Sequence, residues 1–301
     1  MKRNRKILLA GGCSFTEHTQ TSIYDSSLTT DFPRWPKVLA EKLDLECINL
    51  GRSGWSNQLI STSIFEYIME NPKKEIGLVC CLWTDYARTS IYNMPEWPSV
   101  MTTTLLSGFA KKSDDLRFQR SLDIFRKKYK LTTSDEELLY KKGPDKFLDL
   151  LCYYIENTHT ETKTIVENII KNTIKIFHDL ECMLSLRNIP YLYLQGTSGF
   201  LDRDYLKTDR GLEKIYAPSN EQLIFYLLKY EKYLKNKEKF IGWPGFKSGG
   251  GHGISFDENF DCSISKEDGH PNEKGHQIIA NHFYKKVEEL YSHLLKKETN
   301  E

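Results

Sequence analysis

The stretch KILLAGGCSFT, Lys6 to Thr16, decides how the chain reads. Its apolar run, Ile7 to Ala10, passes straight into Gly11 and Gly12 and then into a small polar turn, the pattern of a short buried strand ending in a sharp bend. The run is too short for a secretory leader, which needs about 7 to 15 apolar residues. The basic residues ahead of it therefore read as a cap on a first strand, Lys6 to Gly11. Further apolar runs bounded by turn residues lie at Glu46 to Leu50, Ile76 to Trp83, Tyr191 to Gln195 and Phe240 to Trp243. Helical periods cover Trp35 to Leu43, Leu59 to Glu70, Thr162 to Leu186 and His276 to Lys296. Strands alternating with helices predict an α/β fold, three layers α/β/α around a mostly parallel sheet.

The 301 residues fit one decorated domain, 1–301. The interval from about Tyr92 to His159 breaks the strand–helix rhythm. A structureless loop of that length is uncommon in a compact domain, so a helical insertion over about 92–159 is expected. Phe246 to Phe256, with SGGGHG, reads as a flexible loop. Lys plus Arg number 42 against 41 Asp plus Glu, a net charge of +1, which gives no global field to attract nucleic acid or an anionic membrane surface. No stretch approaches the roughly 20 apolar residues of a spanning helix. The expectation is a soluble, cytoplasmic protein with no nucleic-acid or membrane partner. The 7 cysteines are odd in number and lack C-x-x-C spacing, which points to buried free thiols in a reducing compartment rather than disulfides or zinc.

Ser14 stands just past the first strand, at the carboxyl edge where open α/β sheets bind ligands. There a nucleophile's own backbone N–H can also face an oxyanion. The G-x-x-x-x-G-K-[ST] phosphate loop is absent. Near the other end, EDGHPNEKGH (Glu267 to His276) puts His270 in a loop before the last helix with carboxylates beside it. A carboxylate there can orient one ring nitrogen and stabilise the imidazolium, so His270 can act as a general base. His18 and His252 lack metal-ligand spacing, and His276 and His282 read as surface or packing residues of the last helix. No metal or organic cofactor is expected.

An early Ser and a late acid–His pair resemble the SGNH (GDSL-like) hydrolases, in a divergent branch of the kind found in phage and bacteria. Gly12, Cys13 and Ser14 match the first block, with Cys13 where the family carries Asp. NLGRSGWSN (Asn49 to Asn57) matches the second, and there Gly54 takes the oxyanion-donating role. The third block reads LWTDYAR (Leu82 to Arg88), with Thr84 in place of the family's Asn. The Thr84 hydroxyl or the Asn57 amide would supply the missing donor. The last block places its acid three residues before His; here that residue is Glu267, and Asp268 is two before. Asp268 is the preferred acid and Glu267 the alternative. Arg88 is placed to bind a substrate carboxylate or hydroxyls, or to pair with Asp85, and Trp55 lies near the expected pocket.

The resemblance implies the flavodoxin-like SGNH fold and a serine esterase or deacylase. Its substrate would be a small-molecule or carbohydrate ester, an O-acetyl group on a sugar included. A catalytically degenerate binding or structural module and an O-acyltransferase are the rival readings. Oligomeric state is not legible.

Overall fold

The computed structural model describes residues 5–18, 31–84, 86, 88–90, 102–104, 162–196, 220–244, 262–265 and 268–295. A five-stranded, all-parallel sheet organises them, built from β1 (Ile7–Gly12), β2 (Glu46–Asn49), β3 (Ile76–Trp83), β6 (Tyr191–Gln195) and β7 (Phe240–Ile241) in the order β2-β1-β3-β6-β7. Two further short strands, β4 (Arg88–Ser90) and β5 (Thr102–Thr104), form a separate antiparallel pair. All six residues of β1 are buried, as are seven of the eight in β3. Helices cover both faces, which is why these strands are continuous apolar runs rather than alternating ones.

On one face lie α1 (Trp35–Leu43) and α5 (Glu273–Leu290), joined by Trp35 stacked on Phe283 with centroids 4.8 Å apart. On the other lie α2 (Asn57–Glu70), α3 (Thr162–Leu186) and α4 (Asn220–Tyr230), where Trp83 and Phe177 meet at 4.5 Å. The three-layer α/β/α architecture is the one expected.

Differences are local. The strand expected over Phe240 to Trp243 spans Phe240–Ile241 only, because Gly242 turns the chain at φ 77°. Helix α4 was not assigned from the periodicity. Within the interval expected to be a helical insertion, Thr102–Thr104 is a strand, in keeping with the extended preference of three consecutive β-branched residues. The rest of 92–159, and the Gly-rich loop of 246–256, lie outside the described residues. Among the described residues no helix is long and apolar enough to cross a membrane.

The strand order reverses at β1, whose chain leaves toward β2 on one side while β3 lies on the other. Ligands of doubly wound sheets bind in the crevice beyond the carboxyl ends at such a point. Gly12 is in register with Leu82, so Ser14 and Thr84, each two residues further on, flank that crevice from the two central strands.

Candidate active site

The turn after β1 is fixed by backbone and by two neighbours. Cys13 O accepts from the N–H groups of Thr16 at 2.9 Å and Glu17 at 3.2 Å. Thr16 is fully buried; its hydroxyl accepts from Trp35 Nε1 at 3.1 Å and its carbonyl from Asn49 Nδ2 at 2.5 Å. A Cβ on Gly12 would sit 2.0 Å from Thr16 Oγ1, so the close approach that holds this turn requires glycine there. Ser14 is 6% exposed, open enough to be reached yet held on a rigid support.

The second loop is as well defined. Ser263 bridges Pro271, Ile264 N–H donates to His270 O at 2.8 Å, and Asn272 N–H to Cys262 O at 2.9 Å. Asn272 then caps α5, accepting from Gly275 N–H at 3.0 Å. This geometry carries His270 to Ser14: His270 Nε2 lies 2.9 Å from Ser14 Oγ across 256 positions of sequence. On the far side of the ring, Nδ1 lies 2.5 Å from Asp268 Oδ1, and Asp268 is wholly buried. A carboxylate can only accept, so Nδ1 carries the proton and Nε2 is left to accept from the serine hydroxyl. The His270 backbone N–H also donates to Asp268 Oδ1, at 3.2 Å, and Asp268 N–H donates to Ser265 Oγ at 3.1 Å. Phe15 meets the imidazole edge-on at 5.4 Å. Glu267, the alternative acid, lies outside the described residues.

Around the expected oxyanion site, Gly54 adopts φ 79°, a left-handed conformation that favours glycine. Among the described residues neither the Ser14 nor the Gly54 backbone N–H makes a hydrogen bond. The buried Thr84 Oγ1 likewise has no partner there. Asn57 is tied to the same residue. Its Oδ1 accepts from Thr84 N–H at 2.8 Å and its Nδ2 donates to Thr84 O at 3.1 Å. The amide thus clamps the Thr84 backbone with its oxygen and one of its two N–H donors. Gln195 Nε2, from β6, donates to the same carbonyl at 2.8 Å. Trp55 is half-buried at the end of the Gly54 turn, with the Arg52 guanidinium over its ring at 5.5 Å. Of Arg88 only the backbone is described, as the start of β4, and Asp85 lies outside the described residues.

Sequence reasoning missed the supports. Ser265, Asn49, Gln195 and Thr16 bear no chemistry of their own, and only the fold brings them to the site. It also missed a buried pair. His276 is fully buried in the first turns of α5, where the Trp35 N–H donates to its Nδ1 at 3.3 Å and Arg34 Nη1 lies 3.1 Å from its Nε2. Burial, with the nearby charges of Arg34 and His270, pushes its pKa down to about 3, so it is a neutral packing residue at ordinary pH.

A cavity of about 410 Å³, lined by Lys6, Glu75, Arg187 and His293 among others, opens at the amino end of the sheet and shares no residue with this site. No group of three or more His, Cys, Asp or Glu that could hold a metal ion occurs among the described residues.

No family model matches the chain, and no curated protein matches it. Among solved structures, one described as a "putative lipolytic protein of G-D-S-L family from Desulfitobacterium hafniense DCB-2" aligns with 93% of this chain and 99% of its own, at 14% sequence identity and a TM-score of 0.29.

Proposed function

We propose that the chain is a serine hydrolase that cleaves an ester through an acyl-enzyme on Ser14. The observation that carries this reading is the continuous run from Ser14 Oγ through both nitrogens of His270 to Asp268, at 2.9 and 2.5 Å. In this reading Ser14 Oγ attacks the acyl carbon as its proton passes to His270 Nε2. The imidazolium, stabilised by Asp268, returns that proton to the departing alcohol oxygen. Water then enters, gives a proton to His270 and attacks the acyl-serine; its collapse frees the acid and restores Ser14.

The backbone N–H groups of Ser14 and Gly54 and the hydroxyl of Thr84 would receive the charge on the carbonyl oxygen. A single such donor is worth about 3 kcal/mol in the transition state. Asn57 and Gln195 hold Thr84 in place for that role. The substrate class is a small-molecule or carbohydrate ester, with an O-acetyl group on a sugar as the leading case.

The test is a fluorophosphonate probe together with a screen of p-nitrophenyl esters and acetylated sugars, run on wild type and Ser14→Ala. Labelling and turnover in the wild type, both lost in Ser14→Ala, are expected. A wild type that neither takes the probe nor turns over any ester would favour a degenerate binding module. Product transfer to an added sugar hydroxyl in preference to water would make the protein an acyltransferase on the same residues.

A further inference from the structure

Two turns lie side by side next to Ser14, the one following β1 and the one between β2 and α2. They are packed directly together. A Cβ on Gly51 would lie 2.6 Å from Thr16 Cβ, Asn49 Oδ1 accepts from Gly51 N–H at 2.8 Å while its Nδ2 reaches Thr16 O, and Arg52 N–H donates to Gly12 O at 3.2 Å. Arg52 is therefore anchored by its backbone two residues ahead of Ser14. The turn closes with Trp55 N–H donating to Arg52 O at 3.3 Å, which brings the two side chains together and leaves Gly54 between them.

Across 13–18 and 50–56 only Glu17 and Arg52 carry a formal charge. The Glu17 carboxylate acts on Arg34, whose guanidinium is buried against His276 and the His18 carbonyl. Arg52 is different: its side chain is exposed, and among the described residues it makes no ion pair and no side-chain hydrogen bond. Its guanidinium carbon lies over the ring of Trp55, 5.5 Å from the centroid. A cation held over an aromatic face keeps its N–H donors for a further partner, and a guanidinium receives a carboxylate or sulfonate in two parallel hydrogen bonds.

We infer that Arg52, held over Trp55, binds an anionic group of the substrate beside the scissile ester, which makes the substrate an ester bearing a carboxylate or a sulfo group close to its acyl link. The inference rests on the reading of Ser14 as nucleophile and adds to it the charge of what is cleaved. The anion lies on the alcohol or the acyl side of the ester, and the two sides are separable. Methyl 4-acetoxybenzoate, 4-acetoxybenzoate and 4-acetoxybenzenesulfonate vary the charge on the alcohol side. On the acyl side, p-nitrophenyl hemisuccinate is compared with p-nitrophenyl butyrate.

The experiment measures kcat/KM for each charged ester relative to its neutral partner in wild type, Arg52→Gln and Arg52→Glu, with circular dichroism to verify folding. Within each pair the intrinsic reactivity of the ester cancels when variants are compared. The charged-to-neutral ratio is expected to fall about tenfold in Arg52→Gln, the scale of a charge-assisted hydrogen bond at a partly exposed site, and further in Arg52→Glu. A fall on either side of the ester supports the inference and locates the anion. Ratios unchanged within twofold in both variants, with the neutral esters still cleaved, overturn it and leave the Ser14 reading standing. Absence of turnover of every ester by the wild type overturns both.

Discussion

Replacing Asp268 by Asn is the most searching test of the catalytic reading, because it keeps the shape of a wholly buried side chain and removes only its charge. Asp268 Oδ1 receives two donors from one residue, the ring Nδ1 of His270 at 2.5 Å and its backbone N–H at 3.2 Å. With Asn there are two outcomes. If the amide oxygen faces the ring, the tautomer is kept but the imidazolium formed during attack loses its counter-charge. If the amide NH₂ faces the ring, it donates to Nδ1, the proton moves to Nε2, and Nε2 then meets Ser14 Oγ 2.9 Å away with a hydrogen rather than a lone pair. Either way Ser14 cannot pass on its proton normally. In a Ser-His-Asp triad the loss reaches about 10⁴ in kcat, which at 1.36 kcal/mol per decade is about 5.5 kcal/mol of activation free energy. The assay is p-nitrophenyl acetate hydrolysis with a thermal melt alongside, and Glu267→Gln as the companion variant. A loss above about 10³ for Asp268→Asn, with less than about tenfold for Glu267→Gln, is expected. The reverse ranking would move the role to Glu267, and less than a tenfold loss in both variants would refute the triad.

Asn57→Ala strips the Thr84 N–H of its acceptor and leaves the Thr84 carbonyl with Gln195 alone; it should cost about 1 to 3 kcal/mol in a denaturant melt and lower kcat, and a variant as stable as wild type would show that the clamp carries nothing. A Cβ on Gly269 meets nothing within 4 Å, so Gly269→Ala should retain activity within about twofold, and a large loss would show that the loop must flex there. Burial pushes the folded His276 down to about 3 from the ordinary 6.5 of a histidine; the unfolded chain binds its proton first, so this residue makes stability fall as pH drops below about 6.5 and on toward 3, by about 2 kcal/mol at pH 5. Denaturant melts of wild type and His276→Gln at pH 7.5 and 5 check this, and an equally steep fall in the variant would assign the loss to other groups.

Much of the fold was legible because the strands are buried on both faces. A run such as Ile76 to Trp83 has no polar residue to blur its limits, and the helices that flank it carry a clear apolar face. Helix α4 escaped because apolar residues lie on both its sides: Phe225 and Leu228 are exposed while Tyr226 and Leu227 are buried, so no single face stood out. At the site, residue type and chain order singled out Ser14, His270 and Asp268, whose side chains lie within hydrogen-bond reach of one another in turn. What decides their geometry was not. The bond from Trp35 Nε1 to Thr16, the reach of Gln195 to Thr84 and the Asn49 bridge between two turns join residues 19, 111 and 33 positions apart, distances over which local pattern says nothing. Asn57 was seen as an amide near the site, but which group it would satisfy depends on where β3 ends, and that is a property of the packed sheet.

The three departures from the pattern that the sequence resembles each have a local physical counterpart. Cys13 takes the place of an acid, yet the turn it belongs to is closed by its carbonyl, which accepts from Thr16 and Glu17, while the thiol side chain is simply buried. A turn held by backbone puts little demand on the side chain, so the substitution leaves Ser14 where it is. Thr84 is shorter than the asparagine of the pattern the sequence resembles; Asn57 from α2 and Gln195 from β6 hold its backbone from either side, and its hydroxyl has no partner among the described residues. Asp268 is one residue closer to His270 than the pattern requires. At that spacing the carboxylate can accept from the backbone N–H two residues on, the local turn that aspartate readily makes, and the same oxygen then lies against the ring nitrogen. The shorter spacing therefore requires the shorter acid. Glu at 268 would carry its carboxylate one methylene past that turn, and Asp at 267 would lose it, so the pairing of residue type with position is what completes the run from Asp268 to Ser14.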